Sequence, residues 1–350
     1  MAQYDQDLTQ EEFQNNINGS DLSTETKSKI LELIGTDGTV NVKTWDGLTP
    51  ATAGDAPAQV LIVSPTILPG SDGTTVLDLP ADLLGSVKTW VFDTTENISA
   101  NFNTIDRVIV GGSGENTFVV NGDHDTTIVG NNKTDTFTTT GGNDRIEAGT
   151  GTTTVNTGAG FDIVVAKGSA DDYDVTIVDG ALVLKSKAGA GVADTTITAK
   201  DVNFIEFSNT VGGSLADNKS IAIVGDAASA TVVRLYDGLL GRNAESSGAK
   251  FWVDAQAKGT SLETIATAFL NSTEFQTAHA NLSNEQFVSL LYTQGLQRTD
   301  AGAADAEGVK FWVDALNNNV SRAEVAVGIV GSAEATTGTD AHIKIVDGLV

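Results

Sequence analysis

The stretch Gly111–Val165 reads GGSGENTFVVNGDHDTTIVGNNKTDTFTTTGGNDRIEAGTGTTTVNTGAGFDIVV, and its spacing decides the fold of the first part of the chain. Apolar residues recur at Phe118, Ile128, Phe137, Ile146, Val155 and Val164, the first step being ten residues and the next four nine. Two positions before these anchors stand Asn116, Thr126, Asp135, Asp144, Thr153 and Asp162. Glycines gather shortly before each anchor: Gly111, Gly112 and Gly114; Gly122; Gly130; Gly142; Gly149 and Gly151; Gly158 and Gly160.

Glycine suits a tight turn of positive φ, and an Asp at its end offers a hard oxygen ligand. The apolar residue that follows points inward and is buried only when neighbouring units stack above and below it. Two nine-residue units make one coil, so alternate units share a side. Under that rule Asp144 and Asp162 face one groove and form the best cation site, while Asp135 meets Asn116 on one neighbour and Thr153 on the other. Thr126 and Thr153 interrupt the ligand ladder, so about one to three ions are expected rather than a full row.

The pattern is a worn form of the nonapeptide G-G-x-G-x-D-x-U-x and resembles the RTX repeat of proteins exported by type I secretion. The resemblance implies a parallel β-roll, or β-solenoid, that binds Ca2+. Its ligands would come from Asp144, Asp162, Asp135 and Asn116, and from the glycine turns at Gly112, Gly114, Gly142, Gly149, Gly151, Gly158 and Gly160. A Gly/Asn/Thr-rich β-solenoid that has lost its metal shares the fold and stays open. Val202–Asn209 resembles the closing strand that caps such rolls. The tail Ile343–Val350, with an acidic residue followed by apolar ones, fits the uncleaved C-terminal signal read by the type I apparatus.

Upstream, residues 1–57 form a leader. Two short helices with Ser/Thr caps, around Thr9–Phe13 and Ser23–Ile34, precede a strand at Thr39–Trp45 and an Ala/Thr/Pro/Gly linker to Pro57. A leader this small holds no core of its own and must dock, either on its own body or on a neighbouring subunit. Between Ala58 and Arg107 come strands at Gln59–Val63, Thr74–Leu79 and Ser86–Asp93, a mixed β entry to the roll, with a turn at Pro69–Gly73. Val42–Trp45 recurs as Val87–Trp90. After the repeats, Asp174–Val178 and Ala181–Lys185 flank Asp179-Gly180 as a hairpin. The β-rich domain thus runs over 58–225, with the roll at 108–165.

Beyond residue 225 the composition turns helical, and a second repeat appears. Leu235-Tyr236 through Arg242, then Lys250-Phe251-Trp252-Val253-Asp254-Ala255, returns as Leu291-Tyr292 through Arg298, then Lys310-Phe311-Trp312-Val313-Asp314-Ala315. Each copy continues with a Ser-led helix, from Ser261 and Ser321, and a Ser-x-Glu step at Ser272–Glu274 and Ser332–Glu334. The pattern resembles an uncharacterised helical domain of RTX, S-layer and other type I-secreted surface proteins, and the linker domains of phycobilisomes. The second copy departs where Gly295 replaces Leu239 and Ala335 replaces Phe275. The helical domain covers 226–338 and the tail 339–350. The pairs Phe251-Trp252 and Phe311-Trp312 read most simply as helix core, with an interface or glycan platform as the alternative, and Arg242 and Arg298 as partners of a helix carboxylate.

Composition bounds the rest. The 350 residues carry 46 acidic and 20 basic side chains, a net charge of −26, which argues against nucleic acid and anionic membrane surfaces. Cysteine is absent, so a secreted chain must be held by packing, metal or assembly. No apolar run is long enough for a transmembrane segment. The N-terminus lacks the basic and apolar regions of a Sec-type signal. Of three histidines, His124, His279 and His342, none lies in H-E-x-x-H, and no G-x-S-x-G elbow, P-loop or cysteine nucleophile is present, so no enzyme is expected. The expected function is structural: a secreted, calcium-stabilised, self-assembling subunit of a surface layer, extracellular filament or biofilm matrix. The alternative is a monomeric cell-surface adhesin or glycan-binding module that recognises surface polysaccharide.

Overall fold

A computed structural model describes residues 6–35, 38–47, 58–65, 70, 72–208, 220–298, 305–339, 341–347 and 349. The expected linker at 48–57 and parts of the turn at Pro69–Gly73 and of the tail lie outside the described residues. The chain divides into two compact units, one of Met1–Val202 and Phe207–Thr210, the other of Asn203–Glu206 and Val211–Leu349. The first is β-rich with parallel sheets, and the second is mainly helical. Among the described residues no helix is long and apolar enough to cross a membrane.

In the first unit the chain alternates between two sheets. One holds, in spatial order, β1 (Gln6–Thr9), β2 (Thr39–Trp45), β3 (Val60–Val63), β5 (Thr89–Phe92), β7 (Arg107–Val110), β9 (Thr126–Val129), β11 (Arg145–Glu147) and β13 (Ile163–Lys167). The other runs from β4 (Thr74–Leu77) through β6 (Asn97–Phe102), β8 (Asn116–Val120), β10 (Thr134–Thr139), β12 (Gly151–Asn156) and β16 (Thr195–Lys200) to β15 (Ala181–Ser186) and β14 (Tyr173–Val178). From β5 to β13 each strand pairs in parallel with the strand two before it. The region before Arg107 is therefore not a mixed entry. It already follows the parallel rule, and the helix α3 (Ala81–Leu84) is inserted between β4 and β5.

The register places the apolar anchors in two facing rows. Phe118, Phe137 and Val155 align across β8, β10 and β12, and Ile128, Ile146 and Val164 across β9, β11 and β13. None of the six is more than 1% exposed. Phe137 stacks on Phe118 at 5.7 Å and Phe118 on Phe92 at 5.0 Å, while Phe102 meets Phe118 and Trp90 edge-on. Each such side chain contributes about 1.5–3 kcal/mol by leaving water, so the rows are the main source of stability. The recurring Val-Lys-Thr-Trp strings are not equivalent positions: Trp45 aligns with Val63 and Phe92, whereas Trp90 aligns with Leu61 and Lys43.

The hairpin forms as expected. β14 and β15 pair antiparallel around Asp179 (φ 51°) and Gly180 (φ 78°), the two positive φ values of a type I′ turn. The leader docks within its own chain. Thr9 and Glu12 form a capping box at the start of α1 (Gln10–Asn18), Ser23 caps α2 (Thr24–Ile34), and Gly35 (φ 86°) ends that helix. Strand β2 pairs in parallel with β3, and Phe13, Ile30 and Ile34 bury themselves with Val40, Val60 and Val108. Leu61 and Ile109, one residue along each strand, point to the opposite face, so the sheet is covered on both sides here.

In the second unit, Phe204 and Ile205 of β17 (Phe204–Ser208) pair antiparallel with β18 (Ile221–Val224), and β19 (Ile343–Ile345) adds in parallel. The helices are α4 (Ala227–Leu235), α5 (Ser246–Ala257), α6 (Leu262–Asn271), α7 (Thr273–Ala278), α8 (Asn284–Gln294), α9 (Ala306–Asn317), α10 (Arg322–Val330) and α11 (Ala333–Thr339), with a π-helical turn at Tyr236–Leu240. Serines 261, 272, 283 and 321 cap α6, α7, α8 and α10 through their hydroxyls.

The turns between strands stack as closely as the strands do. A Cβ on Gly149 would lie 1.4 Å from the Asn131 carbonyl oxygen, and one on Gly160 would lie 1.7 Å from that of Gly142. Gly149→Ala is therefore expected to cost about 3 kcal/mol in urea unfolding, since a backbone carbonyl cannot yield to the new methyl. A loss below about 1 kcal/mol would show that the turns have room to part.

Candidate functional site

The expected ligands fall on two sets of stacked turns and strand starts, and each set brings its residues together in pairs. Asn116, Asp135, Gly112, Gly114, Gly149 and Gly151 lie where the chain enters β8, β10 and β12, and Asp144, Asp162, Gly142, Gly158 and Gly160 where it enters β11 and β13. Asn116 adjoins Asp135, which adjoins Thr153, and Asp144 adjoins Asp162. Asn116, Asp135, Asp144 and Asp162 are all buried. Among the described residues no three His, Asp or Glu side chains gather as a metal-binding group. Any cation here would draw on two carboxylates at most, together with backbone carbonyls.

The two pairs differ in what their oxygens already do. Asp135 Oδ1 accepts from the backbone and side-chain nitrogens of Asn116, each at 2.9 Å, and its Oδ2 accepts from Asn131 N at 2.9 Å. The carbonyls of Gly112 and Gly114 accept from Asn116 Nδ2 at 3.2 and 3.1 Å. Asn131 Nδ2 donates to the same two carbonyls, at 2.6 Å to Gly114. The amide orientations are set by their oxygens: Asn116 Oδ1 accepts from Gly112 N and Asn131 Oδ1 from Lys133 N. Amide N–H groups thus stand where the expected cation would draw on Asn116, Asp135, Gly112 and Gly114, and the residues as placed do not fit a metal there. Asn131 is the residue that the spacing did not single out. Gly149 and Gly151 admit the carbonyls of Asn131 and Lys133 to close range.

At the other pair, Asp144 Oδ1 accepts from Thr126 N at 2.8 Å, and Asp162 Oδ1 from Asp144 N at 2.7 Å, so each carboxylate anchors the backbone 18 residues earlier. Asp144 Oδ2 is buried without a hydrogen-bond partner. The Thr139 hydroxyl nearby directs its own proton to the Thr157 carbonyl at 3.0 Å. Burial is the main cause that pushes the Asp144 carboxyl up to about 8; Asp162 adds to the rise, and Thr139 and Thr126 oppose it. A hard cation fits this pair: an acceptor without a donor, a second buried carboxylate, and glycines at 142, 158 and 160 whose missing side chains keep backbone carbonyls close.

A buried acid that the sequence did not mark lies on the leader side. Glu147 Oε1 accepts from the hydroxyls of Ser23 and Thr26, the latter at 2.5 Å, and Arg145 Nε stands 3.6 Å away. His124 is half-buried, 3.8 Å from Asp106.

The helical repeat has a physical reading of its own. Arg242 binds Glu274 through two bonds of 2.6 and 3.0 Å, contacts Glu245 and lies over the Tyr236 ring at 5.1 Å. Its counterpart Arg298 binds Glu334 at 2.6 Å and lies over Tyr292 at 5.2 Å. The Ser hydroxyl of each Ser-x-Glu step accepts from a backbone N–H at the start of the next helix, Phe275 N on Ser272 and Ala335 N on Ser332, while the Glu holds the arginine. Gly295 has a reason as well: its Cα approaches Gly238, where a Cβ would meet the Leu291 carbonyl and Val330. His342 pairs with the buried Asp237 at 2.9 Å, next to β19. One expectation fails here. Phe251 and Phe311 are not helix core but are 62% and 64% exposed, because their helices turn Trp252 and Trp312 inward instead.

The Asp144 geometry makes a pH prediction. Its carboxyl binds a proton more tightly when folded, so the associated stability is complete below the ordinary value of 3.8 and is lost as pH rises through about 8. With chelator present, the unfolding free energy of the wild type is expected to fall over that window relative to Asp144→Asn, which keeps the bond to Thr126 but cannot ionise. Parallel pH curves for the two proteins would contradict it.

Residues 225–279 and 266–338 match the family described as "Domain of unknown function (DUF4214)", so both copies of the helical repeat fall within matched segments. No curated protein and no solved structure matches the chain.

Proposed function

We propose that the protein is a secreted structural subunit that self-assembles into a surface layer, extracellular filament or biofilm matrix. In this reading the β-rich unit is a calcium-stabilised parallel β-roll of the RTX kind, and export is through the type I secretion apparatus. The observation that carries the reading is what the polar side chains are used for. Asn116, Asn131, Asp135, Asp144 and Asp162 all bind backbone groups of the stacked turns, and Glu147 holds the leader helix. Polar chemistry that an enzyme would present to a cleft is spent here on architecture.

Calcium enters this proposal at one place, the Asp144–Asp162 pair, where it would supply positive charge to two buried carboxylates. An ion that binds only the folded chain stabilises it and ties folding to the calcium-rich exterior. On a chain of net charge −26, cations also ease self-repulsion between copies.

One observation favours the second reading, a monomeric adhesin or glycan-binding module. Thr117, Thr136, Thr154 and Thr198 stand in register across β8, β10, β12 and β16, a row of hydroxyls on the outer face of the second sheet. Such a row offers regularly spaced donors and acceptors to a polysaccharide.

Light scattering and electron microscopy of the purified chain, first in EDTA and then in millimolar calcium, test the proposal. Sheets or filaments that appear with calcium are expected. A compact monomer in both conditions would overturn self-assembly and leave the glycan reading. Calcium at about 100 times its Kd should also raise stability by about 2.7 kcal/mol. That gain should vanish in Asp144→Asn and persist in Asp135→Asn; loss of the gain in both, or in neither, would remove the metal from the Asp144–Asp162 pair.

A further inference from the structure

We propose that Phe251 and Phe311 are twin contact points through which each chain docks on two further copies of itself. The inference rests on the self-assembly reading and names its interface.

The two phenylalanines are the most exposed aromatic side chains in the described structure, at 62% and 64%, and they occupy equivalent places in the two helical copies. Each helix that carries one is rich in apolar residues, yet buries little: only Ala249 on α5 and only Leu316 on α9. Each ring is held edge-on against the tryptophan that follows it, at 4.7 Å for Phe251 and 5.0 Å for Phe311. These are fixed aromatic projections, the kind of anchor that dominates protein interfaces.

The surroundings specify the partner. Lys250 and Asp254 flank Phe251 as an ion pair of 3.0 Å, and Lys310 and Asp314 flank Phe311 at 2.5 Å. Each patch therefore carries one charge of either sign around an apolar centre, on a chain whose net charge is −26. Copies of such a chain repel one another over most of their surface, and they can approach where the local charge cancels. A two-fold contact between such patches sets the Lys of each copy against the Asp of the other beside a pair of stacked rings, so the patch is complementary to itself. A purely acidic or purely basic partner would match only half of it.

Two such patches on one chain give a valence of two. Self-complementary contacts at two places join copies into open chains, whereas one patch alone closes at a dimer. Phe251→Ser and Phe311→Ser test this in the full-length protein with calcium, by light scattering coupled to size-exclusion chromatography. Both rings are exposed, so the melting temperature should hold. The wild type is expected to grow beyond dimers, each single variant to stop at dimers, and the double variant to stay monomeric, with the contact at least about tenfold weaker. A second pair of variants guards against an unsuspected folding defect. Lys250→Asp with Lys310→Asp, and Asp254→Lys with Asp314→Lys, should each fail to assemble alone and assemble when mixed. If the double phenylalanine variant assembles like the wild type, or the mixture does not assemble, the twin contact is wrong while self-assembly stands. If the wild type itself stays monomeric, both proposals fall.

Discussion

The β-rich unit depends on how closely its turns can stack. Parallel strands in one sheet lie about 4.8 Å apart, and a repeat whose turns also stack at that spacing leaves no room for a Cβ beneath the carbonyl above. Gly114, Gly142, Gly149 and Gly160 each meet the backbone of an earlier turn at distances that a side chain would forbid. Once the turns are seated, the two rows of anchors fall into register and the hydrophobic core follows. The glycines are thus a packing requirement before anything else.

The same close stacking explains the polar residues. A turn has few backbone hydrogen bonds of its own, and a buried N–H without an acceptor costs about 1–3 kcal/mol. Asp135, Asp144 and Asp162 supply acceptors to neighbouring turns, and Asn116 and Asn131 supply donors to the glycine carbonyls. Where the turn position carries asparagine, at 116, its N–H groups meet the neighbouring carboxylate and the glycine carbonyls. Where aspartate follows aspartate, at 144 and 162, one oxygen is left over. The difference between these two pairs, one at the entry to each sheet, comes from single residues in an otherwise uniform repeat.

The helical unit works by a different device. Its repeated Tyr, Arg and Ser-x-Glu residues form one connected piece, in which the arginine stacks on the tyrosine and binds the glutamate of a later helix start. The duplication repeats this clamp and also repeats an exposed phenylalanine. Internal residues that are copied keep each half folded; a surface residue copied with them gives the unit two like faces.

Much of this was legible in the sequence because it depends on local spacing. The period of the anchors, the turn Asp179-Gly180, the serine caps and the pairing of Arg242 and Arg298 with carboxylates are set by residues close together or by an internal repeat. Strand β6 went unread, although Asn97-Ile98-Ser99-Ala100-Asn101-Phe102 alternates, because it lies outside the nine-residue pattern. What only the tertiary structure decided is what each residue meets across distance. The parallel stack extends upstream of Arg107 because strand register survives an inserted helix that breaks the sequence period. The leader's place, Glu147 beneath its helix and Asn131 above two glycine carbonyls are choices among many equivalent polar partners. Phe251 and Phe311 follow the same helical periodicity as buried residues, and only the path of their helices turns them outward. Periodicity says which side chains share a face; it takes the neighbouring element to say whether that face is covered.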